Sequence, residues 1–198
     1  MPSAITNVAG YRFVDLVDLD RLQSVFRSVC LDLGLKGTVL LAPEGLNFFV
    51  AGPVSSIDGF VEFLERDERF AGIDLKRSLT DYQPFNRLNI RKKKEIISVG
   101  LDHIRPADAT GARISPQAFK AMLDNGEFVH VLDTRNDYEI RIGTFENAIS
   151  LDLPTFRDFP EAVANLPRSM KDEPVVMFCT GGIPVSYTHL RAHETSID

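Results

Sequence analysis

Cys179 ends the apolar run Pro174-Val175-Val176-Met177-Phe178 and leads directly into Thr180-Gly181-Gly182-Ile183. That order reads as a strand running into a Gly-rich turn. Successive backbone N–H groups in such a turn can point inward, and Gly181 and Gly182, lacking Cβ, admit positive φ and the close approach of an anion. A helix N-terminus after the turn adds positive partial charge, so a cysteine held there is expected to have a lowered thiol pKa and to act as a nucleophile. The alternative is a small apolar residue packed at a strand end. The surrounding sequence separates the two.

A second apolar stretch, Phe128-Val129-His130-Val131-Leu132, ends in Asp133-Thr134-Arg135-Asn136-Asp137-Tyr138-Glu139. Ile142-Gly143-Thr144-Phe145-Glu146-Asn147-Ala148-Ile149 follows. A strand ending in Asp-x-Arg, then Tyr-Glu, then Gly-x-Phe-x-x-Ala, then a strand delivering Cys-Thr-Gly-Gly resembles a rhodanese domain. The first half of the chain narrows the match. Lys36-Gly37-Thr38-Val39-Leu40-Leu41-Ala42-Pro43-Glu44-Gly45-Leu46-Asn47, Val50-Ala51-Gly52, Gln83-Pro84-Phe85-Asn86-Arg87 and the basic stretch ending Lys94-Glu95-Ile96-Ile97 are similar to the rhodanese-like tRNA uridine hydroxylase family. The resemblance covers residues 11–183. Phe48-Phe49 stands where many members have Gly-Thr, a change that a strand accepts.

This resemblance implies oxygen-dependent 5-hydroxylation of the wobble uridine of tRNA, with tRNA as partner, molecular oxygen as co-substrate and Cys179 as the catalytic thiol. It implies that Thr180, Gly181, Gly182 and Ile183 form the active-site loop. Asp133, Arg135 and Glu139 are its supporting residues: Arg135 could offer fixed N–H donors to the loop or to an anionic group. A structural ion pair is the equally simple role for Asp133 and Arg135, and a packing or charge-pair role for Glu139. No cofactor is evident. His189 and His193 are four apart beside Glu194, a spacing that suits two metal ligands on one helical face, but a convincing third ligand is missing and no metal site is assigned. The residues by themselves leave two further readings open. One is a sulfurtransferase carrying a persulfide on Cys179 in the same amide cup; the other is a non-catalytic RNA- or protein-binding module.

After Ile183 the family continues with Arg-Cys-Glu-Lys and a helix, whereas this chain reads Pro184-Val185-Ser186-Tyr187-Thr188-His189-Leu190-Arg191 and onward to Asp198. The expectation is therefore a rhodanese domain truncated within its active-site loop, with residues 184–198 a foreign tail and this fragment itself inactive.

At 198 residues with 44% hydrophobic content the chain is long enough for one large or two small domains with buried cores. Two cysteines, Cys30 and Cys179, with neither a signal-peptide pattern nor an apolar run of transmembrane length, argue for a reduced, soluble protein of the cytoplasm and against a membrane partner. Cys30 falls on the apolar face of a helical pattern, where packing is its expected role. The formal charge of -6 disfavours nucleic acid as a partner only if charge is evenly spread. It is not: Lys76, Arg77, Arg87, Arg91, Lys92, Lys93 and Lys94 cluster between the two halves. Arg87 and Arg91 to Lys94 are the candidate RNA contacts, the alternative being a solvated strand edge guarded by lysines.

The elements that must position these residues follow from periodicity. Residues 11–17 alternate as a strand. Asp18 caps a helix with Leu19, Leu22, Val25, Phe26, Val29, Cys30 and Leu33 at helical spacing, ended by Gly34. Residues 37–42 and 46–51 form a hairpin about Pro43-Glu44-Gly45. Ser55 or Ser56 caps a second helix through Ile57, Phe60, Val61 and Leu64, and 73–79 is the fourth strand. Strand, helix, strand, strand, helix, strand is the order of an α+β ferredoxin-like (acylphosphatase-like) domain, which leaves one sheet face open to a ligand. Residues 88–99 extend that domain or bridge onward. The expected division is 1–100 for this domain, 101–113 for a linker and 114–183 for an incomplete α/β rhodanese-like domain. The latter begins with a helix at Ser115-Pro116 that runs through Phe119, Met122 and Leu123 to Asn125-Gly126. Strands near Phe128 and Val175, separated by a helix over 159–166, complete it.

Overall fold

The computed structural model describes residues 4–96 and 114–180. They divide between a first unit, Met1–Ile96, and a second, Ile97–Asp198. The expected linker over 101–113, the loop residues Gly181, Gly182 and Ile183, and the expected tail with His189, His193 and Glu194 lie outside the described residues.

The first unit runs β1 (Ile5–Phe13), α1 (Leu19–Asp32), β2 (Lys36–Ala42), β3 (Gly45–Pro53), α2 (Val54–Glu65), β4 (Lys76–Thr80) and β5 (Leu88–Lys92). Its sheet has the order β4-β1-β3-β2-β5. The first four strands pair antiparallel in the ferredoxin-like arrangement, and β5 extends the sheet by pairing parallel with β2. The helical repeat of α1 buries Leu22, Phe26 and Cys30, and that of α2 buries Ile57, Phe60 and Leu64. Both sets join Val8, Val39, Leu41, Leu46, Phe48 and Val50 in one core. Phe26 meets Phe60 and Phe70 edge-on, as Phe48 meets Phe60, at centroid separations of 5.3–6.3 Å. Each such buried ring is worth roughly 1.5–3 kcal/mol against exposure.

In the first unit, strand boundaries and helix caps differ from the sequence reading. The first strand is Ile5–Phe13 rather than 11–17, because its register with β3, from Ile5 opposite Pro53 to Phe13 opposite Gly45, sets its extent. Val14 and Leu16 leave the ladder, donating their N–H groups to the Glu44 and Pro43 carbonyls. Asp18 is the N-cap residue of α1, but only its backbone carbonyl bonds a helix amide, that of Leu22; its carboxylate instead accepts from Arg69 Nη1 at 2.7 Å. The second helix begins after Pro53, so Ser55 and Ser56 fall in its first turn and do not cap it. The fourth strand is Lys76–Thr80, while Ile73 packs into the core before it.

The second unit contains α3 (Pro116–Asp124), β6 (His130–Asp133), α4 (Asp137–Ile140), β7 (Ile149–Ser150), α5 (Phe159–Ala164) and β8 (Val175–Phe178), with short 3-10 turns. Its described strands run parallel in the order β7-β6-β8. Ser115 Oγ accepts from the Ala118 amide at 3.1 Å with Pro116 in the first turn, and Gly126 closes α3 at φ 67, so this helix starts and stops where its sequence predicts. Two-residue β7 has no periodicity from which to be read. Among the described residues no helix is long and apolar enough to cross a membrane.

Candidate active site

In a parallel sheet, ligands gather at the carboxyl ends of the strands. Asp133 is the last residue of β6 and Cys179 immediately follows β8, which pairs directly with it. Thr134 locks the two strand ends together, its N–H and Oγ1 both donating to the Phe178 carbonyl at 3.1 and 2.9 Å. The register that pairs Asp133 with Phe178 therefore brings the Asp-x-Arg motif and the cysteine to one place.

Asp133 is 1% exposed. Its carboxylate accepts from the Arg135 amide at 3.0 Å, Arg135 Nε at 2.9 Å, Arg135 Nη2 at 2.6 Å and Thr144 Oγ1 at 2.7 Å. Burial pushes this carboxyl up, but the hydrogen bonds from Arg135 and Thr144 outweigh it and hold it below the ordinary carboxylate value. Its hydrogen bond to Asp133 in turn raises the Arg135 guanidinium further, so the pair stays ionised. Arg135 Nη2 also donates to the Gly143 carbonyl at 2.7 Å, and the guanidinium lies 5.2 Å from the Phe178 ring centroid. These bonds use Nε and Nη2; among the described residues Nη1 makes no hydrogen bond.

Beside this clamp lies a cleft of about 550 Å³ lined by Arg135, Glu139, Gly143, Phe145, Cys179 and Thr180 among others. That volume falls within the ~300–1,000 Å³ of small-ligand sites. One wall is apolar: Phe145 packs edge-on against Phe178 at 4.9 Å and against Phe119 at 5.4 Å. Glu139 also lines the cleft. One oxygen of its carboxylate accepts the Asn136 amide at 3.2 Å in the capping box of α4, and the other accepts the Thr180 hydroxyl. The residue after the cysteine is thus tied to a helix N-terminus through a single carboxylate.

Cys179, Thr180, Arg135 and Glu139 all line the cleft, while Asp133 lies beneath it as the anchor of Arg135. Thr144, Gly143 and the aromatic wall were not foreseen as site residues. Their signal lies in Gly143-Thr144-Phe145, the start of the Gly-x-Phe-x-x-Ala motif. The basic candidates belong to the other unit: Arg87, Arg91, Lys92, Lys93 and Lys94 are all exposed there. The other cysteine, Cys30, is 0% exposed in the first unit's core, and burial pushes its thiol up to about 12. Iodoacetamide is therefore expected to alkylate Cys179 in the folded protein and Cys30 only after unfolding, as peptide mass spectrometry reads directly. Equal labelling of the two in native buffer would contradict this assignment.

Residues 5–96 match the UPF0176 acylphosphatase-like domain and residues 115–196 the rhodanese-like domain. A tRNA uridine(34) hydroxylase of Cupriavidus necator is 44% identical over 98% of this chain and 71% of its own length. A protein of the same name from Thiobacillus denitrificans is 38% identical over 98% of this chain and 81% of its own. A third, from Burkholderia vietnamiensis, is 38% identical, with 98% and 72% covered.

Proposed function

The chain belongs to the tRNA uridine(34) hydroxylase family, and from that premise we propose that it is an oxidoreductase hydroxylating C5 of the wobble uridine in tRNA, with Cys179 as nucleophile. The observation that carries this reading is the convergence of Cys179 and the Asp133-anchored Arg135 on one cleft at the ends of two paired strands.

Uracil C6 accepts a thiolate because the ring is a conjugated carbonyl, and addition there places electron density on C5 and O4. Nη1 of Arg135, which makes no hydrogen bond among the described residues, is a donor for that developing oxyanion, held in advance by the bonds of Nε and Nη2. C5 then takes one oxygen atom from molecular oxygen. The other atom leaves as water with two electrons from an external donor and two protons, and loss of the C5 proton expels the thiolate to restore the ring. The Phe145 and Phe178 rings offer the base an apolar wall. The cytoplasm, where thiols stay reduced and tRNA is abundant, is the compartment this chemistry requires.

A host lacking 5-hydroxyuridine, complemented with the full gene encoding this chain, is expected to regain the nucleoside in digests of its tRNA, measured by mass spectrometry. Absence of the nucleoside together with robust sulfur transfer from thiosulfate to cyanide would replace hydroxylation with the persulfide reading.

The basic stretch separates into two faces. On β5, Arg91 stands opposite Leu40 and Lys92 opposite buried Leu41, so the two side chains point to opposite sides of the sheet. Lys92 is on the helical side, paired with Asp20 of α1. Arg91, on the other side, has no ion pair among the described residues. We therefore assign phosphate contact to Arg91. Arg91→Ala is expected to weaken tRNA binding across sequences and lower the salt slope by about one unit, and Lys92→Ala to leave the slope unchanged. Filter binding at several salt concentrations checks this; equal behaviour of the two variants would refute the division.

A further inference from the structure

Thr180, the residue after the cysteine, is exposed and lines the cleft, and its hydroxyl bonds one carboxylate oxygen of Glu139. Chemistry fixes the direction of that bond. An ionised carboxylate has no proton to give, so the hydroxyl donates, and a hydroxyl has only one proton. Glu139 is held in turn on its other oxygen by the Asn136 amide at 3.2 Å, within the capping box that starts α4. Among the described residues Thr180 Oγ1 makes no other hydrogen bond. Its oxygen therefore meets a ligand with lone pairs and without a donor, and the carboxylate behind it leaves that oxygen more electron-rich.

Arg135 has the opposite character. A guanidinium carries N–H donors only, and those of Nε and Nη2 are taken by Asp133 and the Gly143 carbonyl. The cleft thus sets a donor-only group and an acceptor-only group beside Cys179. The edge of a pyrimidine carries the complementary pattern. Uracil presents O4, an acceptor, next to N3–H, a donor, whereas cytosine presents an amino donor next to a bare N3 acceptor. With O4 on Arg135, the neighbouring ring atom is N3, and only uracil has a proton there for Thr180.

We propose that Thr180 is a specificity-determining residue of this site: its hydroxyl oxygen accepts N3–H of the target base, and together with Arg135 it selects uracil over cytosine. The placement of O4 comes from the hydroxylation reading, on which this assignment rests, and the choice of base goes beyond it. Cytosine in the same pose sets its amino group against the guanidinium and its N3 lone pair against those of Thr180. Enzymes that act on an extruded base read it along this edge, and one well-made pair of hydrogen bonds is worth about 5- to 150-fold against the wrong base. The aromatic wall of Phe145 and Phe178 cannot make the distinction, because it meets the two flat rings alike. Glu139 matters to the choice because it holds the hydroxyl proton. With that proton free, Oγ1 would donate to cytosine N3 as readily as it accepts from uracil.

The test titrates the full-length protein, under nitrogen so that no turnover occurs, with two stem-loop RNAs that differ only in carrying uridine or cytidine at the wobble position. The wild type is expected to prefer the uridine RNA. Thr180→Val keeps the shape of the side chain and removes the hydroxyl; it is expected to narrow that preference by about 5- to 150-fold. Thr180→Ser keeps the hydroxyl and drops the methyl, and is expected to retain the preference. A preference unchanged in Thr180→Val, or a wild type that binds both RNAs equally, overturns the assignment. So does a Thr180→Ser protein that discriminates no better than Thr180→Val, because the methyl group and not the hydroxyl then makes the contact. Binding and hydroxylation are read separately. A preference that narrows in Thr180→Val and survives in Thr180→Ser, without any 5-hydroxyuridine from the complemented host, leaves the base choice standing and removes the enzyme. Restored 5-hydroxyuridine with the preference intact in Thr180→Val does the reverse.

Discussion

Cys179→Ser is expected to eliminate 5-hydroxyuridine from the tRNA of the complemented host, a fall of at least ~1,000-fold in the rate of the purified full-length enzyme. A serine hydroxyl is almost wholly protonated at neutral pH and is far less nucleophilic than a thiolate, and among the described residues the cleft offers no uncommitted carboxylate to take its proton. The nearby carboxylates are committed: Asp133 to Arg135 and Thr144, and Glu139 to Asn136 and Thr180. Binding of tRNA should be nearly unchanged, because the exchange alters one atom of the cleft and leaves Arg91, the assigned phosphate contact, and the aromatic wall in place. Cys30→Ala is the matched control; it shortens a buried side chain in the first unit's core and should keep activity while lowering stability modestly. Residual activity above a few per cent in Cys179→Ser would mean that the thiol is not the nucleophile.

Asp133→Ala is expected to have the largest effect on the second unit's stability. It leaves the Arg135 guanidinium, itself only 19% exposed, without the carboxylate that receives Nε and Nη2. Breaking a buried pair by removing one partner costs about 3–5 kcal/mol, because the other charge is stranded. The Thr144 hydroxyl loses its acceptor in the same change. Urea unfolding of wild type and variant measures the difference, and a loss below about 1 kcal/mol would show that the pair is dispensable. The same carboxylate sets an acid limit. Its folded-state pKa lies below the ordinary 3.8, so the stability it contributes is fully present above that ordinary value. It is lost as pH falls through the lower folded-state value. Acid unfolding should therefore begin at higher pH in Asp133→Ala than in the wild type.

The sequence carried the fold further than it carried the site. Helical spacing found α1 through Leu22, Phe26 and Cys30, and Ser115-Pro116 with Gly126 found both ends of α3, since caps and periodicity are local signals. Strand ends were less legible. Where β1 begins and ends depends on its register with β3, a partner more than thirty residues away, and β7 is two residues long. At the site, Cys179, Asp133, Arg135 and Glu139 stood out by residue type and order. Thr144 and Gly143 did not, because a threonine hydroxyl and a backbone carbonyl become functional only when the chain folds them onto Asp133 and Arg135. The two faces of the basic stretch were likewise invisible until Asp20 appeared beside Lys92. The alternation of a strand predicts that neighbours diverge, not which of them meets a helix.

The parallel addition of β5 to the first sheet also has a consequence for the order in which the molecule assembles. Because β5 completes the sheet at its far edge, pairing with β2 some fifty residues earlier, the first unit cannot finish its hydrogen-bond ladder until that strand has been synthesised. It can do so well before the second unit exists. Translation at ~5–20 residues per second takes roughly 5–20 s to deliver the next hundred residues, whereas a small mixed α/β domain folds in milliseconds to seconds. The first unit therefore leaves the ribosome as a finished body while Cys179 is still uncoupled from Asp133. A pulse-chase proteolysis experiment on stalled chains should show protection of the acylphosphatase-like unit as soon as Lys92 clears the exit tunnel, independent of any substitution at Asp133 or Cys179.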